Sequence, residues 1–249
     1  MPFDADYATY YDLLYKDKDY RAEVDYVCSL IKKRHKGDAT TLLDVGCGTG
    51  RHAAEFVRNG FATFGLDCSK DMIEKARAKV PAVEFHVGYS YDFSLGRRMD
   101  IAVSLFHVMS YQTTNRDLFA SFQNISRHLN NGGVFIFDFW YGSAVLREMP
   151  EVRVRRFENE DVQVVRVAEP MIHWDRNVVD VGYEIIVMNK RNGAVKTFKE
   201  THSMRYFFIP ELLFLLESAG FEVDAVLEWL SERQLPETSW CGVIVARKR

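Results

Sequence analysis

The chain has 249 residues, 47% of them hydrophobic, which is enough to bury one full α/β core with a small elaboration. Its net charge of −3 gives no electrostatic reason to expect nucleic acid as a partner. The four cysteines form no C-x-x-C pair, so we expect reduced thiols. The first residues do not resemble a secretory signal, and no apolar run approaches the ~18 residues of a membrane span. We therefore expect a cytoplasmic location and no membrane contact.

The first part of the chain predicts helices and strands in alternation. Tyr7, Tyr11 and Leu14 share one face of a predicted N-terminal helix. Apolar runs without polar alternation are typical of parallel strands that are buried on both faces, and their succession predicts a doubly wound sheet. Further helices are predicted over 20–33, over 51–59, after the N-cap Ser69 and over 116–129. Strands are predicted over 41–45, 62–66, 83–87, 101–106 and 134–139. A turn is predicted over 131–133.

Between about residues 152 and 206 the hydrophobic pattern changes to a period of two. Turn signals at 159–160 and 192–193 divide this stretch, as is typical of antiparallel hairpins. We therefore predict an α/β fold: a doubly wound mixed seven-stranded sheet with an antiparallel β insertion between strand five and the last helix. The predicted core covers residues 1–150 and begins with an aromatic helix, and the insertion covers residues 151–207. The remaining segment, 208–249, contains a last helix (210–219) and two final strands (221–229 and 240–247).

The stretch LLDVGCGTGRH, residues 42–52, carries the clearest functional signal. Asp44 ends a predicted strand, and a G-x-G-x-G loop then leads into a helix. Glycines there let the backbone turn tightly and let a ligand approach without a Cβ in the way. The dinucleotide fingerprint would place its third glycine at Arg51, so the spacing does not fit NAD. Asp44 would also repel a pyrophosphate, whereas it would attract a cationic or zwitterionic ligand.

Asp67 ends the second predicted strand, 21 residues after Gly46. An acid at roughly that distance is placed to accept hydrogen bonds from ribose hydroxyls. A ribose without a diphosphate, together with an aminoacyl group near an acid, describes S-adenosylmethionine.

The segment DVGCGTG and the acid that follows it resemble the class I S-adenosylmethionine-dependent methyltransferases, and the likeness extends from Tyr10 to the C-terminus. The resemblance implies S-adenosylmethionine as the cofactor. Where the family has Gly-Asp-x after the third strand, this chain has Gly88 followed by Tyr-Ser-Tyr, so the adenine contact would pass to Ser90 and an aromatic face. The cofactor-binding residues that we expect are Asp44, Gly46, Cys47, Gly48, Gly50, Asp67, Met72, Ser90, Phe106 and Tyr20.

Within this superfamily the chain is similar to the N,N-dimethyltransferases that act on nucleotide-linked 3-amino-deoxysugars in desosamine and mycaminose biosynthesis. The similar segments are YYDLLYKDKDY, DFSLGRR, FDFWYG, and ETHSMRYF followed by PELLFLLESAGF. The resemblance implies a small-molecule acceptor, a sugar nucleotide whose amino group is methylated. The chain departs from the family at His107 and Val108, where the family has serines, and over 239–242, where it lacks an arginine.

Acceptor residues are expected in the crevice where parallel strands end. His107 and Tyr111, after strand four, are the predicted catalytic residues, because an imidazole can accept a proton from a hydroxyl or orient an amine. The alternative for His107 is a hydrogen-bonded core histidine under the N-terminal helix. The histidines show no metal-ligand spacing, so we expect no metal. The predicted substrate-binding residues are Tyr10, Tyr11, Trp140, Tyr141, His202 and Arg205.

Several alternatives stay open from the sequence. Because a hydroxyl acceptor usually needs a base, His107 also favours O-methylation of a sugar hydroxyl. A non-catalytic, cofactor-binding partner subunit is a further alternative. Arg153 and Arg155 share one strand face and could clamp a diphosphate or form a solvated face. An exposed edge of the insertion could pair across a two-fold axis, which would make a homodimer.

Overall fold

A computed structural model describes residues 5–249 of the chain as two β-sheets with flanking helices. The helices are α1 (Ala5–Leu14), α2 (Tyr20–Arg34), α3 (Arg51–Arg58), α4 (Lys70–Lys79), α5 (Asn115–Arg127), α6 (Gly142–Glu148) and α7 (Ile209–Ser218). The strands are β1 (Thr41–Val45), β2 (Ala62–Asp67), β3 (Glu84–Val87), β4 (Met99–Ser104), β5 (Leu129–Trp140), β6 (Arg153–Glu158), β7 (Val162–His173), β8 (Val178–Asn189), β9 (Val195–Arg205), β10 (Phe221–Glu228) and β11 (Cys241–Lys248).

Seven strands form the larger sheet in the order β10-β11-β5-β4-β1-β2-β3. The pairs among β1 to β5 are all parallel, whereas β11 runs antiparallel to both β5 and β10. This arrangement confirms the predicted doubly wound, mixed seven-stranded sheet. The strand order reverses between β1 and β4, and a ligand crevice forms at such a point in open α/β sheets.

Local sequence signals explain where several elements begin. The Ser69 hydroxyl accepts a hydrogen bond from the Met72 N–H and caps α4, as predicted. The backbone of Gly50 is left-handed, with φ of +78°, and Gly50 is the N-cap of α3. Leu42 and Leu43 of β1 are fully buried between helices on both faces of the sheet.

Several predicted boundaries differ from the structure by two or more residues, and two of the differences have local reasons. Strand β4 ends at Ser104 rather than at residue 106, because the backbone at Phe106 and His107 turns into the left-handed region, with φ of +69° and +62°. Strand β5 begins at Leu129, and the predicted turn over 131–133 becomes a register shift opposite β4. Helix α6 was not predicted; it is short and directly follows β5.

The second sheet is antiparallel, has the order β6-β7-β8-β9, and lies in the chain between α6 and α7. The predicted turns at 159–160 and 192–193 both connect its strands. One face of α1 packs against this sheet, where Tyr7 and Leu14 contact Val164 and Ile185. The division of the chain at residues 150 and 207 stays a prediction.

Two observations concern the expected location and redox state. Within residues 5–249, no helix combines the length and apolar character needed to cross a membrane. All four cysteines are free.

The central strand β5 supplies much of the core, and this generates a stability prediction. Phe137 is fully buried and packs against Phe122 and Phe135. We expect Phe137→Ala to lower the free energy of unfolding by about 3–5 kcal/mol, because it removes a large apolar side chain and leaves a cavity. Urea unfolding followed by circular dichroism measures this change.

The matched control is Phe214→Ala on α7, where the side chain is 69% exposed. Its free energy of unfolding should change by no more than about 0.5 kcal/mol. Equal losses in the two variants would mean that β5 does not form the centre of the core.

Candidate active site

A cavity of about 700 Å³ lies at the carboxyl ends of β1, β2, β4 and β5. Its roof comes from the N-terminal segment and from the second sheet, which contribute Tyr11, Tyr15 and Tyr183. The predicted site residues that line this cavity are Tyr11, Tyr20, Gly46, Cys47, Gly48, Asp67, Met72, Ser90, Phe106, His107, Tyr111, Trp140 and His202. The structure therefore brings most of the expected cofactor and acceptor residues to one place.

The glycine loop after β1 is held by hydrogen bonds from its own backbone. The N–H groups of Gly46 and Cys47 donate to the carbonyl of Leu66 at 2.6 and 2.9 Å. The N–H of Gly48 donates to Asp67 Oδ2 at 2.9 Å, and the N–H of Ser69 donates to Asp67 Oδ1 at 2.8 Å. Asp67 thus fixes the loop, and the lone pairs that remain on its carboxylate are free to accept ribose hydroxyls.

Gly46 has no room for a side chain. Its φ is +77°, and a Cβ built there would lie 2.4 Å from Cγ1 of Val108. Val108 belongs to a short 3₁₀ turn, Val108–Tyr111, that follows β4. The loop after β1 and the turn after β4 are therefore in direct contact.

Two buried polar atoms beside the loop have no hydrogen-bond partner among the described residues: Asp44 Oδ2 and the Tyr20 hydroxyl. Asp44 is 1% exposed; burial raises its pKa to about 6, a shift that His52 opposes and the Asp67 charge increases. Burial also raises the pKa of Tyr20 well above its usual value. An uncompensated acid and hydroxyl next to a glycine cradle suit a ligand with an ammonium group, so the site fits the aminoacyl end of S-adenosylmethionine.

Gly88 to Tyr91 line the expected adenine side of the cavity. The Ser90 hydroxyl lies 2.8 Å from the Ser121 hydroxyl, and the rings of Tyr89 and Tyr91 stack with centroids 5.0 Å apart. Because the Ser90 side chain already has this partner, its backbone and the neighbouring rings are the groups left for a base. Asp117, at the start of α5, also lines this part of the cavity and was not predicted.

The acceptor end contains two side-chain pairs. His107 Nδ1 lies 2.8 Å from Asp138 Oδ2, and the Tyr111 hydroxyl lies 2.7 Å from His202 Nδ1. Tyr111, after β4, and His202, on β9, thus connect the two sheets at the cavity wall. The ring of Trp140 packs edge-on to His107 with centroids 6.0 Å apart.

Five predicted residues are absent from the cavity lining, and three of these were expected to bind substrate. Tyr10 stacks on Phe198, and Tyr141 packs with the core around Phe139. The Arg205 guanidinium pairs with Glu211 at 2.7 Å. Each of these three side chains is engaged in packing or pairing away from the cavity. Asp44 is buried in β1 next to the start of the glycine loop, and Gly50 is the N-cap of α3.

Sequence reasoning missed the roles of Tyr15 and Tyr183 as cavity residues. The ring of Tyr15 packs edge-on to Phe106 with centroids 5.0 Å apart, and Arg166 Nη1 donates to the Tyr15 hydroxyl at 3.1 Å. The signal for Tyr15 was present in the tyrosine-rich N-terminus. Arg153 and Arg155 also line the cavity, and both are exposed.

His107, Asp138 and Cys241 lie close enough together to be considered as metal ligands, with ligand atoms all within 4.8 Å. Two ligands at zinc–nitrogen and zinc–oxygen bond lengths in a tetrahedral site would lie about 3.3 Å apart. The observed 2.8 Å between His107 Nδ1 and Asp138 Oδ2 is a hydrogen-bond distance instead. The geometry therefore describes a hydrogen-bonded pair with a thiol beside it.

A glycine cradle and two buried acids, at the switch point of a doubly wound sheet, define a class I methyltransferase site. The sequence matches the family model described as a methyltransferase domain over residues 42–133. The chain is 30% identical to dTDP-3-amino-3,4,6-trideoxy-alpha-D-glucopyranose N,N-dimethyltransferase of Streptomyces venezuelae, over 89% of this chain and 92% of the relative. The protein belongs to the class I S-adenosylmethionine-dependent methyltransferase family.

Two solved structures extend the comparison. Streptomyces venezuelae DesVI superimposes with a TM-score of 0.83 at 29% identity, over 99% of this chain and 100% of that chain. CalS10 of Micromonospora echinaspora, an amino pentose methyltransferase with S-adenosylmethionine bound, has a TM-score of 0.76 at 25% identity, over 100% and 98% of the two chains. The protein is therefore a methyltransferase with S-adenosylmethionine as its cofactor.

The buried carboxyl of Asp44 generates a pH-dependent stability prediction. Its pKa is raised in the folded protein, so its contribution to stability is present below pH ~4 and is lost as the pH rises through about 6. We expect Asp44→Asn to stabilise the ligand-free protein at pH 8, by up to about 3 kcal/mol, and about half as much at pH 5. We also expect it to weaken cofactor binding by about 10-fold or more, because it removes the buried negative charge that is expected to attract the ammonium group.

Thermal unfolding of the ligand-free protein at the two pH values, and calorimetric titration with S-adenosylmethionine, measure these effects. An equal shift in melting temperature at pH 5 and pH 8 would contradict the assignment of the raised pKa to Asp44.

Proposed function

We propose that this enzyme methylates the amino group of a nucleotide-linked amino sugar. The observation that carries the proposal is the cavity, which places the cofactor loop after β1 directly against the turn that bears His107 and Tyr111. The relatedness to a dTDP-amino-sugar N,N-dimethyltransferase over most of both chains supports this class of acceptor.

The residues proposed to hold the cofactor are those around the glycine loop. Tyr20, in the cavity wall, and the buried carboxylate of Asp44 beneath the glycine loop would attract the ammonium of the aminoacyl group, and Asp67 would accept the ribose hydroxyls. Met72 and Ser90 would border the adenine. S-adenosylmethionine supplies a methyl group on a sulfonium, which a nucleophile in line with the S–CH3 bond can displace. The chain's contribution is to hold the acceptor in that line, which can account for much of the acceleration.

The residues proposed to hold the acceptor are on the opposite wall. Tyr11, Trp140 and the linked pair Tyr111 and His202 would surround the sugar, and His107 would take up the proton that the acceptor loses. Arg153 and Arg155 lie at the same cavity from the second sheet, where two neighbouring cations suit a diphosphate.

A second candidate is O-methylation of a sugar hydroxyl, and the contact between His107 and Asp138 favours it. An amine needs only to be deprotonated and aligned, whereas a hydroxyl usually needs a base at the moment of attack. A histidine paired with a buried carboxylate at 2.8 Å is an arrangement that can serve as such a base.

The acceptor is tested with a panel of dTDP-linked sugars, in which each amino sugar is paired with its hydroxyl counterpart. We expect release of S-adenosylhomocysteine with the amino sugars and a dimethylated product by mass spectrometry. Product from the hydroxyl sugars alone would establish O-methylation instead. Absence of product with both sets would overturn the proposal of a sugar acceptor.

The role of His107 is tested by His107→Ala. We expect kcat to fall by about 10²-fold or more, because the proton acceptor is lost, with the Kd for S-adenosylmethionine nearly unchanged. The matched control is His173→Ala, which removes a second histidine paired with an aspartate, Asp180 at 2.8 Å, away from the cavity. Turnover of His107→Ala equal to that of the control would leave His107 with a packing role only.

A further inference from the structure

The side chain of Asp138, near the end of β5, lies in an unusual environment because His107 binds it twice. It is 1% exposed. The His107 backbone N–H donates to both of its oxygens, at 3.1 and 3.2 Å, and His107 Nδ1 lies 2.8 Å from Oδ2. The Cys241 thiol, on the neighbouring strand β11, lies 3.7 Å from Oδ2.

The backbone at His107 is strained where it meets this carboxylate. Phe106 and His107 are consecutive residues with positive φ, at +69° and +62°. Residues other than glycine seldom adopt this backbone conformation. Such a conformation is energetically unfavourable and persists where the surroundings enforce it, typically at functional sites. A histidine that is only part of the core needs one hydrogen-bond partner for its ring. Here the Asp138 carboxylate contacts both the ring and the backbone N–H of His107, so it fixes the position of the whole residue.

The contacts of Asp138 favour its ionised form. Burial alone would raise its pKa, but the charge and the hydrogen bonds of His107, together with the charge of Lys18, hold the pKa below its usual value. A carboxylate can only accept a hydrogen bond, so a neutral His107 carries its proton on Nδ1. Nε2 then keeps its lone pair, and His107 lines the cavity with 21% of its side chain exposed.

We propose that Asp138 is a positioning residue that fixes the orientation and the Nδ1–H tautomer of His107, so that Nε2 is presented to the acceptor as the proton acceptor. The proposal rests on the proposed function, since it needs an acceptor whose nucleophile carries a proton. In the step, the N–H or O–H bond of the acceptor breaks, its electrons stay on the acceptor, and the proton binds Nε2. The imidazolium that forms is stabilised by the Asp138 carboxylate.

The first test uses the unaltered protein and does not depend on turnover. Nitrogen-15 NMR of histidine-labelled protein distinguishes the two neutral tautomers, and comparison with His107→Gln identifies the signals of His107 among the seven histidines. We expect a protonated Nδ1 and an unprotonated Nε2 at pH 8. The opposite tautomer, with the proton on Nε2, would overturn the proposal.

The second test is Asp138→Asn, which keeps the shape of the side chain but removes its charge. An amide can donate to Nδ1, so the tautomer should switch, and we expect kcat to fall by about 10²-fold or more, since the same change in a serine-protease triad costs about 10⁴-fold. The Kd for S-adenosylmethionine should change by less than about 3-fold, because the cofactor loop is not touched.

The matched control is Asp100→Asn, the same substitution at the opposite end of the sheet. Asp100 accepts hydrogen bonds from Thr40, Thr41 and Asn130, and its pKa is lowered to about 2 even though burial opposes the shift. This control loses a well-bonded carboxylate without contact to His107, so its stability should fall but its kcat and its His107 tautomer should not change.

A double-mutant cycle separates positioning from a direct role. If Asp138 acts only through His107, adding Asp138→Asn to His107→Ala should change kcat by less than about 3-fold. A full additional loss of about 10²-fold would mean that Asp138 acts independently of His107. A metal ion in equimolar amount in the purified protein, lost on Cys241→Ser, would also overturn the proposal.

These outcomes are distinguishable from a failure of the proposed function. An inactive sugar panel with the expected tautomer would leave the pair intact and refute only the acceptor. An active panel with the opposite tautomer would refute only the role of Asp138.

Discussion

The loops that follow β1 and β4 touch at Gly46 and Val108, and the rest of the site is arranged around that contact. A Cβ on Gly46 would lie 2.4 Å from Val108, so the two loops pack together only because the first has no side chain there. β1 and β4 are adjacent and parallel where the strand order reverses. The cofactor loop and the turn with His107 therefore leave the sheet side by side, and methyl transfer depends on holding two reactants at such close range.

Three carboxylates at the ends of β1, β2 and β5, of which Asp44 and Asp138 are buried, give this region its electrostatic character. Asp67 is bound by backbone N–H groups of the glycine loop and the following turn, and Asp138 by His107. Asp44 has one oxygen with no hydrogen-bond partner in residues 5–249. Aromatic rings such as Phe106 and Tyr15 stand nearby. Buried acids and ring faces both favour a cation, which agrees with a sulfonium cofactor that also carries an ammonium group.

The sequence predicted those parts of the structure that depend on short-range pattern. Strand periodicity located both sheets, and the glycine spacing located the cofactor loop, because each signal lies within a few consecutive residues. The pairing of His107 with Asp138 could not be predicted, since it joins residues 31 positions apart and depends on two consecutive left-handed residues. Arg205 was assigned to the substrate, but its guanidinium forms a salt bridge with Glu211, six residues further along the chain, where β9 leads into α7.

The roof of the cavity depends on a different set of contacts from its floor. The floor is fixed by the parallel sheet, whereas the roof forms where α1 packs on the second sheet and Arg166 contacts Tyr15 and Tyr183. Arg166 is 7% exposed and lies over aromatic rings, so its charge is stabilised there by π faces and a hydroxyl. Because different contacts hold the roof and the floor, substitutions in the second sheet can alter which acceptor fits the cavity. The cofactor loop in the floor can stay the same.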